Sequence, residues 1–344
     1  MRGAPDDDAT IELKPGAYGR GAQRLDGPTR RRLFATLVVG GGATAVAGCG
    51  ICGWLLWPRR AVPPVAPVVA IVPPRPVPAP PTPFPITNAD EATIQAHVAE
   101  HLTVFRFDGN PKIIVLDFPT LHMQGEMLNR VASLIEKAGL PRDRVLTDTE
   151  LDAAIRGHGD TMETYYYGHD YPVSALTGFF ALADREHVAL DPQEEQLRAL
   201  LQQLGWFAPG AAGGLISVTR TNETITEAIR ATILHHELSH GEFFSDPAYA
   251  GFVRTFWLNE MTDDERMSFR RFLGSMDYDT GIEELMYNEM QAYLMFTYDS
   301  RFFLPTNVSM TPARRAELQT AFLKGMPEGW LKLSLARHLR LAAN

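Results

Sequence analysis

The stretch His236-Glu237-Leu238-Ser239-His240 constrains this chain more than any other, because it sets two imidazoles and a carboxylate within one short run. On a helix with 3.6 residues per turn the two histidines fall one turn apart on one face, so both rings reach a single tetrahedral ion. Glu237 then lies beside that ion, placed to take a proton from a bound water. The surroundings favour a helix. Gly214-Leu215-Ile216-Ser217-Val218-Thr219 has strand composition, and Thr224 followed by Glu227 predicts a capping box opening a helix of about 18 residues. Ile225, Ile229, Ile233, His236 and His240 share an arc of about 80°, on the apolar stripe that faces inward. Two core histidines bonded to backbone are the alternative. Glu237 between them favours a metal, expected to be Zn2+.

A catalytic zinc takes three protein ligands and keeps one position open. Asn288-Glu289-Met290-Gln291-Ala292-Tyr293 offers the third. H-E-x-x-H followed by N-E-x-x-A on a later helix resembles the gluzincins, the zinc-peptidase clan that includes thermolysin and the zinc aminopeptidases. The resemblance covers about the span 213–298. It implies His236, His240 and Glu289 as ligands and Glu237 as general base. The aminopeptidase G-x-M-E-N signature is absent, and Gly241-Glu242-Phe243-Phe244-Ser245 stands where metzincins continue to a third histidine. Helical faces point to the same glutamate. With Ile282 at 0°, Met286 falls at about 40°, Tyr293 at about 20° and Glu289 at about 340°, inside the apolar stripe. A lone buried carboxylate costs several kcal/mol, so one at the stripe's centre implies a metal or a cationic partner such as Arg301. Glu284, at about 200°, is expected to face water, and Glu283 to cap the helix with Thr280.

The first 85 residues are organised differently. Arg30-Arg31-Arg32 precedes an uncharged stretch over 33–57, long enough to cross a bilayer core of about 30 Å. Arg31-Arg32-Leu33-Phe34 resembles a twin-arginine export signal, and Val46-Ala47-Gly48-Cys49 a lipobox that would lipidate Cys49. The apolar run continues past Cys49 through Trp54-Leu55-Leu56-Trp57, which suits an uncleaved anchor better than a processed signal. The chain thus divides into a cytoplasmic tail or signal n-region over 1–32, a transmembrane anchor or export signal over 33–57, a tether over 58–85 and a catalytic domain over 86–344. Each of these readings places the domain outside the cytoplasm, on the periplasmic or cell-surface side. The tether is proline-rich, and in polyproline II form, at about 3.1 Å per residue, it holds the domain up to about 80 Å from the membrane.

Charge excludes one class of partner. Of the 32 basic and 41 acidic residues, the first 85 positions hold ten and five, leaving 22 against 36 and a net charge of about −14 on the domain. A nucleic-acid surface needs clustered positive charge, so none is expected; the expected partners are a peptide or protein substrate and the membrane. Both cysteines, Cys49 and Cys52, fall in the apolar segment, so the domain must hold together by packing.

A helix is expected over 89–103, capped by Asn88 with Glu91, then a strand over 112–117 and a helix over 121–138. Asp191-Pro192 opens another that stops near Gly205. Later helices are expected over 247–258, 263–273, 281–298, 312–324 and 329–342. Strands early and helices late suit an α+β, zincin-like fold: a small N-terminal sheet backing the motif helix, and a mostly helical C-terminal lobe. His97-Val98-Ala99-Glu100-His101 reads as the inverted motif H-x-x-E-H, but its surroundings fit an ordinary amphipathic helix. Tyr165, Tyr166, Tyr167, His169, Tyr293 and Tyr298 are candidates for stabilising an oxyanion, with core packing as the plainer role. The expected activity is peptide hydrolysis. An amidase acting on cell-wall peptides and a non-catalytic tethered domain with structural zinc are the alternatives.

Overall fold

The computed structural model describes residues 83–342, which form an α+β fold. The expected tail, apolar segment, Cys49 and the tether as far as 82 lie outside the described residues. Among the described residues no helix is long and apolar enough to cross a membrane.

Two strands make the centre of the sheet. β3 (Ile113–Phe118) and β5 (Gly214–Thr219) pair in parallel, with Ile113 opposite Gly214 and Phe118 opposite Thr219. Every residue of both is buried, which the runs I-I-V-L and L-I-S-V allow in strands covered on both faces. β2 (Thr103–Phe107) runs antiparallel to β3, and β1 (Ile86–Ala89) adds in parallel to β2. β4 (His169–Pro172) forms the opposite edge, antiparallel to β5, giving the order β1-β2-β3-β5-β4.

The first helix differs from expectation. Asn88 lies in β1, Asp90 caps a short α1 (Glu91–Ala96) through Thr93 N at 2.8 Å, and the chain leaves helical geometry at His97. Long-range pairing of β1 with β2 overrides a local capping signal that Asp90 satisfies as well as Asn88. The inverted motif therefore has no helix to stand on. His97 Nδ1 bonds Asp117 Oδ2 at 2.7 Å, while Glu100 and His101 are exposed.

Helices cover the sheet and then build the second half. α2 (Leu121–Ile135) follows β3 and ends three residues before the expected limit. α3 (Asp148–Gly157), β4 and α4 (Val173–Glu186) were not anticipated, nor was β2. α5 (Pro192–Gln203) opens on the Asp191 capping box with Pro192 in its first turn, as expected. The motif helix α6 (Glu227–Ser245) is capped by Thr226 rather than Thr224, whose N–H instead bonds Asn222 Oδ1. α7 (Pro247–Asn259), α8 (Asp263–Gly274), α9 (Glu283–Gln291), α10 (Pro312–Gly325) and α11 (Trp330–Ala342) complete a helical C-terminal half. The expected 281–298 helix is shorter: α9 gives way to a π turn over Ala292–Phe296.

Two devices seat α6 on the sheet. A Cβ at Gly241 would come within 2.9 Å of Ile113 Cγ2, so the helix backbone lies directly on β3. Arg230, 1% exposed, forks onto both oxygens of Asp117 at 2.9 and 2.8 Å and bonds the carbonyl of Ile94 at 2.7 Å. This bidentate pair ties α6 to β3 and to the end of α1. With both partners buried, loss of either would strand a charge in the core.

Candidate metal centre

Three elements meet at the motif. α6 supplies His236, Glu237 and His240, α9 supplies Glu289, and the loop entering β4 brings its backbone against Glu237. His236 Nε2 and His240 Nε2 stand 3.1 Å apart, and Glu289 Oε2 is 3.9 Å from each. His236, Glu237 and Glu289 are 1% exposed and His240 is fully buried. Glu289 thus lies where the helical-face argument put it, while Glu284 is exposed. Arg301 pairs with Asp299, not with Glu289. Glu283 accepts from Trp257 Nε1 at 2.7 Å and pairs with Arg270 instead of capping α9, whose N-cap is Ile282.

The outer ring nitrogens decide what the inner ones can do. Thr297 Oγ1 donates to the Ala292 carbonyl at 3.0 Å, so it presents a lone pair to His236 Nδ1–H at 2.7 Å. Asn288 Oδ1 accepts from His240 Nδ1–H at 2.9 Å. Both rings are thereby held in the tautomer that carries the proton on Nδ1 and the acceptor lone pair on Nε2. Burial holds both histidines neutral: it is the main cause that lowers His240 to about 4, against the Asn288 bond, and takes His236 well below the usual range, with His240 and His235 adding repulsion. Two lone pairs 3.1 Å apart repel unless a cation lies between them. The π turn matters here, because the carbonyl it leaves at Ala292 orients the Thr297 hydroxyl.

The donor set fits zinc. Two nitrogens each about 2.0–2.1 Å from one tetrahedral ion stand about 3.3 Å apart, close to the spacing of the two Nε2 atoms. Glu289 Oε2 is buried with no hydrogen-bond partner, an orphan that costs free energy without a metal. Burial drives its pKa well above the carboxylate range, with Glu136 and Glu237 adding to the rise. The three ligand atoms lie within 4.8 Å of one another.

Glu237 sits beside this set against the backbone of Gly168. A Cβ there would fall 2.8 Å from Glu237 Cδ and 2.9 Å from Ile233 Cγ2. Asp170, in β4, shares a hydrogen bond with Glu237 and lies 3.7 Å from His240 Nδ1. Burial raises the Asp170 pKa well above the usual range, with repulsion from Glu237 next. Asp170, Gly168, Asn288 and Thr297 escaped the sequence reading as functional residues. Asn288 alone carried a signal, as the first letter of the N-E-x-x-A run.

The aromatic candidates take other roles. Tyr165 and Tyr166 meet edge to face, and the Lys137 ammonium stands 4.5 and 4.6 Å from their centroids. Tyr167 is buried, and its carbonyl accepts from Gln124 Nε2 at 3.2 Å. His169 is held by Asn129 Oδ1 at 3.1 Å and Ser217 Oγ at 3.3 Å. Tyr293 turns its ring edge to His236 with centroids 4.9 Å apart, and its hydroxyl engages Tyr278 and Met276 Sδ. Tyr298 bonds His235 Nε2 at 3.1 Å and stacks on His338. The comparisons add nothing to this geometry: no protein-family model, curated protein or solved structure matches the chain.

Proposed function

We propose that this chain is a membrane-tethered, extracytoplasmic zinc peptidase of gluzincin type, with a zincin-like fold. One observation carries the reading. Two imidazoles held neutral by burial bring their Nε2 atoms to 3.1 Å of each other, each 3.9 Å from the orphaned oxygen of Glu289, with Glu237 next in sequence to the first. Zinc bound by His236, His240 and Glu289 would polarise a substrate carbonyl and acidify a water near neutral pH. Glu237 takes the proton from the attacking water and returns it to the departing amine. Asn288 and Thr297 keep the ligand rings turned inward, and the packed core around them excludes bulk water. β4 is an edge strand beside Glu237, a position at which an extended peptide can add to a sheet.

Glu237→Gln keeps the shape and loses the base, so zinc should stay at one per chain while turnover falls at least about 100-fold. Burial of all four residues at 1% or less favours a second reading, in which the zinc only holds α6 to α9. In that case no peptide is cleaved and Glu237→Gln changes nothing but stability.

The location is proposed from the sequence over 33–57 and 58–85. Cell fractionation should find the domain with the membrane, and protease added to spheroplasts should release it by cutting within the tether. A domain protected in intact spheroplasts would refute that topology.

A further inference from the structure

A cavity of about 600 Å³ opens between α1, α6 and α11, and none of the proposed metal ligands lines it. Its size falls within the range of about 300–1,000 Å³ usual for small-ligand sites. Charge of both signs borders it. The start of α1 contributes the carboxylates of Asp90 and Glu91, and α11 contributes Arg337. Arg337 is exposed and has no ion-pair partner among the described residues. His338 also lines the cavity, but burial lowers its pKa to about 4, with His235 and Arg315 adding repulsion, so Arg337 is the fixed cation that α11 brings.

Aromatic rings complete the lining, and each is held in place. Trp330 donates its Nε1–H to Glu242 Oε2 at 2.7 Å and meets Phe107 edge to face, with centroids 4.7 Å apart. A Cβ at Gly109 would fall 3.0 Å from Trp330 Cγ, so the glycine leaves room for the indole. Tyr298 is fixed by His235 and by stacking on His338. Leu333, 63% exposed, adds apolar surface. Carboxylates and aromatic faces stabilise an ammonium, and a guanidinium takes a carboxylate through two parallel hydrogen bonds. A ligand with one charge satisfies only part of this lining, whereas a zwitterion with an apolar chain satisfies all of it.

We propose that this cavity binds a zwitterion whose primary ammonium and carboxylate are separated by an apolar chain, the ammonium at Asp90 and Glu91 and the carboxylate at Arg337. Two sources present that chemistry: the C-terminal lysine of a polypeptide and a free ω-amino acid. The assignment uses no group of the metal cluster and stands whether or not that cluster cleaves peptides.

Calorimetry on the zinc-loaded full-length chain tests it with ε-aminocaproate, hexylamine, caproate and N-acetyl-glycyl-lysine. ε-Aminocaproate should bind at least about 10-fold more tightly than hexylamine or caproate, each of which keeps one of its charges, because a charge-assisted hydrogen bond is lost in either case. Binding of the acetylated dipeptide as tight as that of ε-aminocaproate names a polypeptide C-terminus as the source, and its exclusion names a free ω-amino acid. Arg337→Gln should weaken ε-aminocaproate at least about 10-fold and leave hexylamine unchanged. Asp90→Asn combined with Glu91→Gln should weaken it as much and leave caproate unchanged. Asparagine still caps α1 and glutamine still accepts from His235, so the fold should hold, as circular dichroism will check. Absent or equal binding of ε-aminocaproate, hexylamine and caproate to the wild type overturns the proposal without any variant. A preference that survives both sets of substitutions overturns it too, since the zwitterion then sits elsewhere, the zinc included. Peptide turnover is read separately, and its absence would sink the peptidase reading alone.

Discussion

Glu289→Gln separates a three-ligand zinc site from a two-histidine one. Glu289 is 1% exposed, with Oε2 3.9 Å from both imidazole Nε2 atoms. A carboxylate about 4 Å from a divalent ion gains about 8 kcal/mol at an effective dielectric of about 20. Desolvation and release of the proton that burial favours on Glu289 offset much of this gain. A net contribution of at least about 1.4 kcal/mol, tenfold in affinity, is the floor expected for a true ligand. Glutamine preserves the volume and removes the charge, so the metal-free protein should fold and melt much as the wild type does. Competition with a chromogenic chelator reads the zinc dissociation constant directly. Below the raised pKa, zinc uptake by the wild type should also release a proton that Glu289→Gln does not. Glu284→Gln, on the exposed side of α9, serves as the control. Unchanged affinity in Glu289→Gln, or an equal loss in Glu284→Gln, would leave only the two histidines and refute the gluzincin assignment.

Gly168→Ala places a methyl 2.8 Å from Glu237 Cδ, so the base must shift while the ligands stay. Zinc content should hold and turnover should drop about 10- to 100-fold, since a displacement near 1 Å costs about that much; wild-type turnover in this variant would dismiss the contact. His169 has its pKa lowered to about 3, chiefly by burial and then by Lys137. A lowered pKa on a base means its stabilising contribution is complete above about 6.5 and is lost as pH falls toward 3, at about 1.4 kcal/mol per pH unit. His169→Gln removes that dependence. Between pH 6.5 and 4.5 the wild type should lose about 2 to 3 kcal/mol relative to the variant in urea melts, and parallel curves would show that His169 is not held neutral.

The sequence by itself determined the local features. β5 spans the residues expected, α6 runs through the motif with both histidines on one face, and Asp191-Pro192 opens α5. These follow from short-range rules of periodicity and capping, which five or ten neighbouring residues can satisfy. The buried position of Glu289 was legible for the same reason, because a helical wheel needs only its own helix. Tertiary structure decided the rest. The expected 89–103 helix is shortened to α1, its cap moved from Asn88 to Asp90, because β1 pairs with β2, which lies beyond the window of local signals. α9 ended early in a π turn whose role depends on His236, which lies on another helix. Asp170 and Gly168 stand far from the motif in sequence and reach Glu237 only because β4 forms the edge of the sheet beside α6. A ligand-bearing helix announces itself through its own spacing, whereas the groups that orient the ligands and flank the base are chosen by which strands pair, and strand pairing is a property of the whole chain.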